Sequence, residues 1–142
     1  MRGFKYPSKS FKRRLMASRI PHPIPYQGSK RRLAALILSY VPKRAARMIE
    51  PFAGSAAVTL AASARSLADE YVIGDSLAPL AELWKNIIEQ PEALAEEYEA
   101  VWNAQLKRPR DHYQEVRGEF NKSGKPVQLL YLMARCVKNA VR

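Results

Sequence analysis

The sequence is poor in the features of secreted and membrane-embedded proteins. It has a single cysteine, Cys136, so no internal disulfide can form, and a lone thiol is typical of a reducing compartment. No apolar run approaches the roughly 20 residues that cross a bilayer. The basic N-terminus lacks the apolar stretch of a signal peptide. We therefore expect a cytoplasmic protein without a membrane partner.

Histidine is also scarce. His22 and His112 are far apart and have no neighbours at metal-ligand spacing, so the sequence predicts no metal site and a surface or loop position for each histidine. Trp84 and Trp102 stand beside apolar residues at helical spacing and are expected in a core or an interface. Cys136 is expected to be a buried structural thiol.

Acidic residues are nearly absent from the first third of the chain. Residues 1–50 hold 13 Lys and Arg but only Glu50 as an acid, whereas the remaining residues are close to neutral, so the net charge of +11 is N-terminal. A concentrated basic segment favours contact with a phosphate backbone, here through Lys12, Arg13 and Arg14. A solubilising tail is the alternative for residues 1–20.

The apolar periodicity predicts an α/β protein with few strands. A βαβ unit implies a parallel sheet, and two strands are too few for a stable one. We expect a basic extension over 1–21 and, over 22–142, a partial doubly wound, Rossmann-like domain whose sheet a partner chain completes. The predicted helices are 31–42, 56–68, 80–90, 92–106, 108–121 and 127–142, and the predicted strands are 46–52 and 71–75.

The stretch IEPFAGSAAV (49–58) predicts a strand that turns sharply into a helix. Gly54 lets the backbone turn and lets a ligand come close, and the helix N-terminus favours an anionic group. Asp75 ends the next strand 21 residues later, a spacing typical of an acid that binds ribose hydroxyls. The G-x-G-x-x-G pattern is not met, because Ser55 and Ala56 follow Gly54. An ordinary turn, with Asp75 capping the next helix, is the alternative.

Five segments together resemble one family. In this order and spacing, YQGSK (26–30), IEPFAGSAAV (49–58), VIGDSLAPLAELWKNI (72–87), DHYQEVRGEFN (111–121) and YLMARCVKNAVR (131–142) are similar to segments of Dam-type adenine-specific DNA methyltransferases. The resemblance covers nearly the whole chain beyond the basic tail. It implies a class I methyltransferase fold and S-adenosylmethionine as the cofactor.

The resemblance also implies roles for residues. Tyr26 would pack on the cofactor, Lys30 would pair with its carboxylate, and Asp75 would take the ribose hydroxyls. Ala56 replaces a second glycine and is expected to need a negative φ. The implied cofactor-binding set is Tyr26, Gln27, Gly28, Lys30, Glu50, Phe52, Gly54, Ser55 and Asp75. The implied DNA-binding set is Arg31, Arg32, Asn139 and Arg142, besides the basic tail.

A further motif of the family is missing. The resemblance implies an Asp-Pro-Pro-Tyr motif that holds the flipped adenine, and the sequence contains no such motif, so no catalytic residue is assigned. We expect the chain to be the cofactor-binding subunit of a split enzyme. A second subunit would carry that motif and the target-recognition region, and the heterodimer would act on double-stranded DNA. A non-catalytic nucleic-acid-binding or regulatory protein and a truncated single-chain enzyme are the alternatives. The biological setting stays open between restriction–modification, defence and regulation.

Overall fold

A short α/β region precedes four consecutive helices in the computed structural model, which describes residues 20–136. Lys12, Arg13, Arg14, Asn139 and Arg142 lie outside the described residues. A 3-10 turn spans Lys30–Arg32. The elements are α1 (Ala34–Ser39), β1 (Ala45–Glu50), α2 (Ala57–Ser63), β2 (Ala68–Ile73), α3 (Ala78–Glu89), α4 (Pro91–Ala104), α5 (Pro109–Ser123) and α6 (Pro126–Arg135).

The two strands form the expected βαβ unit. β1 and β2 are parallel, in a register that pairs Ala45 with Ala68 and Glu50 with Ile73. One face of this sheet packs on α2, a helix of small residues, through Met48 and Tyr71. Small side chains allow this close approach, and parallel strands are normally covered on both faces. The second face of the sheet stays open among residues 20–136, with Ile49 60% and Val72 38% exposed.

The predicted boundary between α2 and β2 is wrong. The helix was expected to reach residue 68, but it ends at Ser63, and the strand begins at Ala68 rather than at residue 71. The chain turns between them at Ser66, whose φ is +53°. The acidic residues Asp69 and Glu70 obscured the start of the strand in the sequence, because both are exposed and pair with Arg44 and Arg47 instead of following an apolar pattern.

The four helices α3 to α6 bury the largest side chains of the protein. α6 packs against α3, α4 and α5. Among residues 20–136, the largest side chains that are fully buried are those of Tyr131, Leu80, Leu83, Leu129 and Leu132. A Pro opens each of these helices within its first turn, where its missing N–H costs no helical hydrogen bond.

Two further expectations are corrected in this helical region. The last helix was expected to continue to residue 142, but it ends at Arg135, and Cys136 is extended with ψ of 152°. His112 is not a surface residue: it is buried on α5, its ring Nε2 hydrogen-bonds the Val101 carbonyl at 2.9 Å, and it packs edge-on against Tyr131. The thiol of Cys136 is half-buried, and burial raises its pKa. Within residues 20–136, no helix is long and apolar enough to cross a membrane.

Candidate functional site

A cleft of about 290 Å³ opens where β1 and β2 end. The carboxyl ends of parallel strands are where open α/β sheets bind their ligands. Three separate segments of the chain supply the walls of this cleft. The lining residues are Tyr26, Gly28, Ser29, Lys30, Glu50, Phe52, Ala53, Gly54, Ser55, Ala57, Asp75 and Ser76.

Gly54 is required by the shape of the turn after β1. Its φ is +51°, in the left-handed region that favours glycine. A side chain at this position would also collide with Tyr26, because an added Cβ would lie 3.0 Å from the ring Cε1 atom. The turn is therefore a close contact between two segments that are distant in sequence. Ser29 and Ser55 join the same two segments through their hydroxyl oxygens, 2.7 Å apart.

The Asp75 carboxylate joins the turn to the start of α3. Its Oδ2 accepts a hydrogen bond from the Gly54 N–H at 2.9 Å, and its Oδ1 accepts one from the Leu77 N–H at 3.0 Å. Asp75 therefore lines the cleft and also binds the backbone amide of Leu77, the residue before α3, although no side chain caps that helix. A carboxylate has about four acceptor positions, so these two bonds leave capacity for a ligand.

The Glu50 carboxylate anchors the helix that follows the turn. Its Oε2 accepts hydrogen bonds from the Thr59 N–H at 2.9 Å and from the Thr59 Oγ1 hydroxyl at 2.5 Å. Glu50 is half-buried and also lines the cleft. This side chain thus fixes α2 relative to the end of β1 while the rest of the carboxylate borders the cleft. The sequence argument missed Thr59, although a Thr in the first turn of a helix is a common hydrogen-bonding position.

Trp84 is a second residue that the sequence argument did not connect with the cleft. It was expected in a core or an interface, and it is 4% exposed. Its indole Nε1–H donates a hydrogen bond to the Gly54 carbonyl at 2.8 Å. The turn is therefore held from α3 as well as from Asp75. Apolar spacing alone could indicate burial of Trp84, but not the acceptor of its N–H group.

Ala56 corrects the expectation of a negative φ. Its φ is +47° and its ψ is +31°, so alanine adopts the left-handed conformation that glycine favours. The residue is 1% exposed, and its methyl group belongs to the core cluster that contains Ala53, Leu80 and Trp84. Burial of this methyl group offsets part of the backbone strain, which is why an alanine can occupy the position.

The expected cofactor-binding residues mostly converge. Of the nine, all except Gln27 line the cleft; Gln27 is exposed in the preceding turn. The Lys30 ammonium donates to the Gly28 carbonyl at 2.9 Å. The expected DNA contacts Arg31 and Arg32 follow on the 3-10 turn and are exposed.

A second cavity adjoins the cleft. It is lined by His22, Arg31 and Arg32 and shares Tyr26 and Ser29 with the cleft. Burial and, second, the positive charge of Arg31 lower the pKa of His22. Positive charge therefore lies immediately beside the cleft.

One family model matches most of the chain. Residues 26–142 match the model of the D12 class N6 adenine-specific DNA methyltransferase. The match begins at Tyr26, the first residue of the cleft. A comparison with curated proteins finds no match to the chain.

Proposed function

The chain belongs to the D12 class N6 adenine-specific DNA methyltransferase family, and on that premise we propose that it is the cofactor-binding subunit of a split enzyme. The enzyme transfers a methyl group from S-adenosylmethionine to the amino group of an adenine that is flipped out of duplex DNA. A second subunit completes the sheet and the active site.

One observation carries the cofactor assignment: three distant segments of the chain converge on a single cleft. The turn at 26–30, the turn after β1 and the end of β2 meet at the carboxyl edge of a parallel sheet. Nucleosides bind at this edge in doubly wound folds, with an acid at the end of the second strand on the ribose. Asp75 occupies that position.

The chemistry of the cleft suits S-adenosylmethionine. The Asp75 carboxylate can accept hydrogen bonds from ribose hydroxyls, and the Lys30 ammonium can pair with the methionyl carboxylate. Gly54 leaves room at the backbone, where a larger residue would meet Tyr26. When bound, S-adenosylmethionine supplies an electrophilic methyl group on its sulfonium. The work of this chain is to bind and orient that group.

Two observations support a second subunit. The sequence contains no Asp-Pro-Pro-Tyr motif, which the family resemblance assigns to the flipped adenine. The sheet of residues 20–136 has two strands and one open face, on which Ile49 and Val72 are neighbours in register. A parallel sheet is stable when helices cover both faces. The second subunit would bring further strands, a covering helix, the missing motif and the target-recognition region.

Duplex DNA is the proposed substrate, and its phosphates would meet the basic side of the cleft. Arg31 and Arg32 are exposed on the 3-10 turn directly after Lys30. Lys12, Arg13, Arg14, Asn139 and Arg142 would add to this contact. Binding that depends on phosphate contacts weakens with salt.

Titration with S-adenosylhomocysteine, the product that remains when the cofactor has lost its methyl group, tests the cofactor assignment. Loss of a charge-assisted hydrogen bond in Asp75→Ala should weaken binding about 10- to 100-fold in calorimetry. Asp69→Ala is the matched control, because Asp69 lies on β2, the strand that precedes Asp75, but is exposed and pairs with Arg44. Equal affinity of the wild type and Asp75→Ala would refute the ribose assignment.

Co-expression with a candidate second subunit tests the split enzyme. We expect a chain that carries the Asp-Pro-Pro-Tyr motif to co-purify with this one, and the complex to methylate adenine in duplex DNA. Neither chain alone should do so. A regulator that merely kept the fold would bind DNA without methyl transfer in any combination. Methyl transfer by this chain alone would overturn the split arrangement.

A further inference from the structure

Trp84 contacts the glycine turn from within the buried core. It is absent from the residues that line the cleft, and its side chain is 4% exposed. Its indole N–H reaches the Gly54 carbonyl at 2.8 Å in a buried hydrogen bond. Trp84 can therefore influence a ligand in the cleft only indirectly, through its hydrogen bond to the turn and its packing in the core cluster with Ala53.

The backbone of Gly54 is fixed by contacts from three different parts of the chain. Its N–H, in the peptide group shared with Ala53, donates to Asp75, and its carbonyl, in the peptide group shared with Ser55, accepts from Trp84. The ring of Tyr26 lies close against its Cα, where a Cβ would lie 3.0 Å from the ring. The orientation of both peptide groups is thus determined by the protein itself, before any ligand binds. Such preorganisation increases affinity because the ligand does not have to order the turn.

The helical region holds the indole in place. Trp84 lies in the core cluster with Leu80 and Leu83 of its own helix and with Leu129 of α6. Packing at this density leaves the indole little freedom to move away from the turn. Phenylalanine would retain most of this packing but could not donate the hydrogen bond, and the buried Gly54 carbonyl would lose its partner.

We propose that Trp84 is a positioning residue, which fixes the carbonyl of Gly54, and with it the turn, in the binding-competent orientation and so couples the four-helix core to the cofactor cleft. The effect on a ligand rests on the proposed function, because S-adenosylmethionine is the ligand assigned to the cleft. The effect on the turn itself does not depend on any ligand.

Amide hydrogen exchange in the full chain measures the effect on the turn directly. In Trp84→Phe, we expect the Gly54 amide to exchange about 10-fold faster relative to the Leu132 amide, which reports the global core. Trp102→Phe is the matched control, since Trp102 lies on α4 among Tyr98, Tyr131 and Arg135, away from the turn. An unchanged ratio of the two exchange rates in Trp84→Phe would overturn the proposal.

Calorimetry with S-adenosylhomocysteine measures the effect on the ligand. If the turn adopts its binding conformation in only a fraction of the molecules, the apparent affinity for the ligand falls in proportion to that fraction. Trp84→Phe should therefore bind S-adenosylhomocysteine about 5- to 10-fold more weakly than Trp102→Phe does. Faster exchange at Gly54 with unchanged affinity would overturn the role in binding. If the wild type does not bind S-adenosylhomocysteine, the proposed cofactor function fails. The ratio of the Gly54 and Leu132 exchange rates still decides whether Trp84 orders the turn.

Fluorescence provides a readout that does not require replacement of Trp84. In Trp102→Phe, the only remaining indole is Trp84, and saturation with S-adenosylhomocysteine should shift its emission because the turn that accepts its hydrogen bond binds the ligand. In Trp84→Phe, the remaining Trp102 should not respond. Confirmed binding without an emission change in Trp102→Phe would contradict the proposal.

Discussion

The helical region (78–135) forms most of a buried core, whereas the βαβ region (45–73) leaves one face of its sheet uncovered within residues 20–136. In the helical region, Leu80, Leu83 and Leu132 are fully buried. In the βαβ region, Ile49 is 60% exposed beside Val72 in a parallel sheet, an arrangement normally buried on both faces. The cleft lies at the ends of β1 and β2, and the helical region reaches its turn through the hydrogen bond from Trp84 to the Gly54 carbonyl. The difference teaches that, within residues 20–136, a well-buried helical core holds the turn of the cleft, whereas the sheet that ends at the cleft keeps one face open.

Replacement of one apolar residue from each region should give the largest contrast. Leu132→Ala removes a fully buried side chain that packs with Val116 and Tyr131 and should lower the free energy of unfolding by about 2–5 kcal/mol. Ile49→Thr keeps a β-branched residue on the open face and should cost less than about 1 kcal/mol. Urea unfolding measures both. Similar losses for the two variants would mean that the sheet face is covered, and the comparison would fail.

The same Ile49→Thr variant also tests where the proposed second subunit binds. A helix of the second subunit that covers this face would bury Ile49, so the variant should weaken association of the subunits while leaving the stability of this chain nearly unchanged. Binding to the second subunit, measured by calorimetry, separates the two effects. Full affinity of Ile49→Thr would place the interface elsewhere.

Removal of one carboxylate charge tests how much the Glu50 bonds to Thr59 stabilise the βαβ region beside the cleft. Glu50→Gln keeps the size of the side chain but weakens the bonds to Thr59, and we expect a loss of about 1–3 kcal/mol in urea unfolding. Glu70→Gln is the matched control on the neighbouring strand: its pair with Arg47 is exposed, so the loss should stay below about 1 kcal/mol. A larger loss of unfolding free energy in Glu70→Gln would show that the exposed pair with Arg47 stabilises the protein more than the Glu50 bonds to Thr59 do.

The sequence predicted which residues line the cleft better than it predicted the hydrogen bonds that hold those residues in place. Gly54 and Asp75 could be placed because turn chemistry and the end of a strand are local signals. Trp84 and Thr59 could not be connected with the site, because their hydrogen-bond partners lie in other segments of the chain. Trp84 bonds the Gly54 carbonyl and Thr59 bonds the Glu50 carboxylate only once the chain has folded. The start of β2 was missed because Asp69 and Glu70 do not follow the apolar pattern of a buried strand.

Glycine substitutions at two residues with positive φ, Ser66 and Ala56, should change the free energy of unfolding least. They compare strain that is exposed in the βαβ region with strain beside the helical core. Ser66 is exposed in the βαβ region with φ of +53°, and Ser66→Gly should relieve strain at little loss of packing, with a gain of up to about 1 kcal/mol. Ala56 has a similar backbone, but its methyl group is buried in the core shared with the helical region.

Ala56→Gly should therefore stay within about 1 kcal/mol of the wild type, because relief of strain is opposed by the lost methyl burial and by the greater freedom of glycine in the unfolded chain. Urea unfolding of both glycine variants gives the comparison. Greater stabilisation by Ala56→Gly than by Ser66→Gly would mean that the buried methyl group contributes little. The turn would then be strained without compensation from the helical core, and the support beneath the cleft would be weaker than its packing indicates.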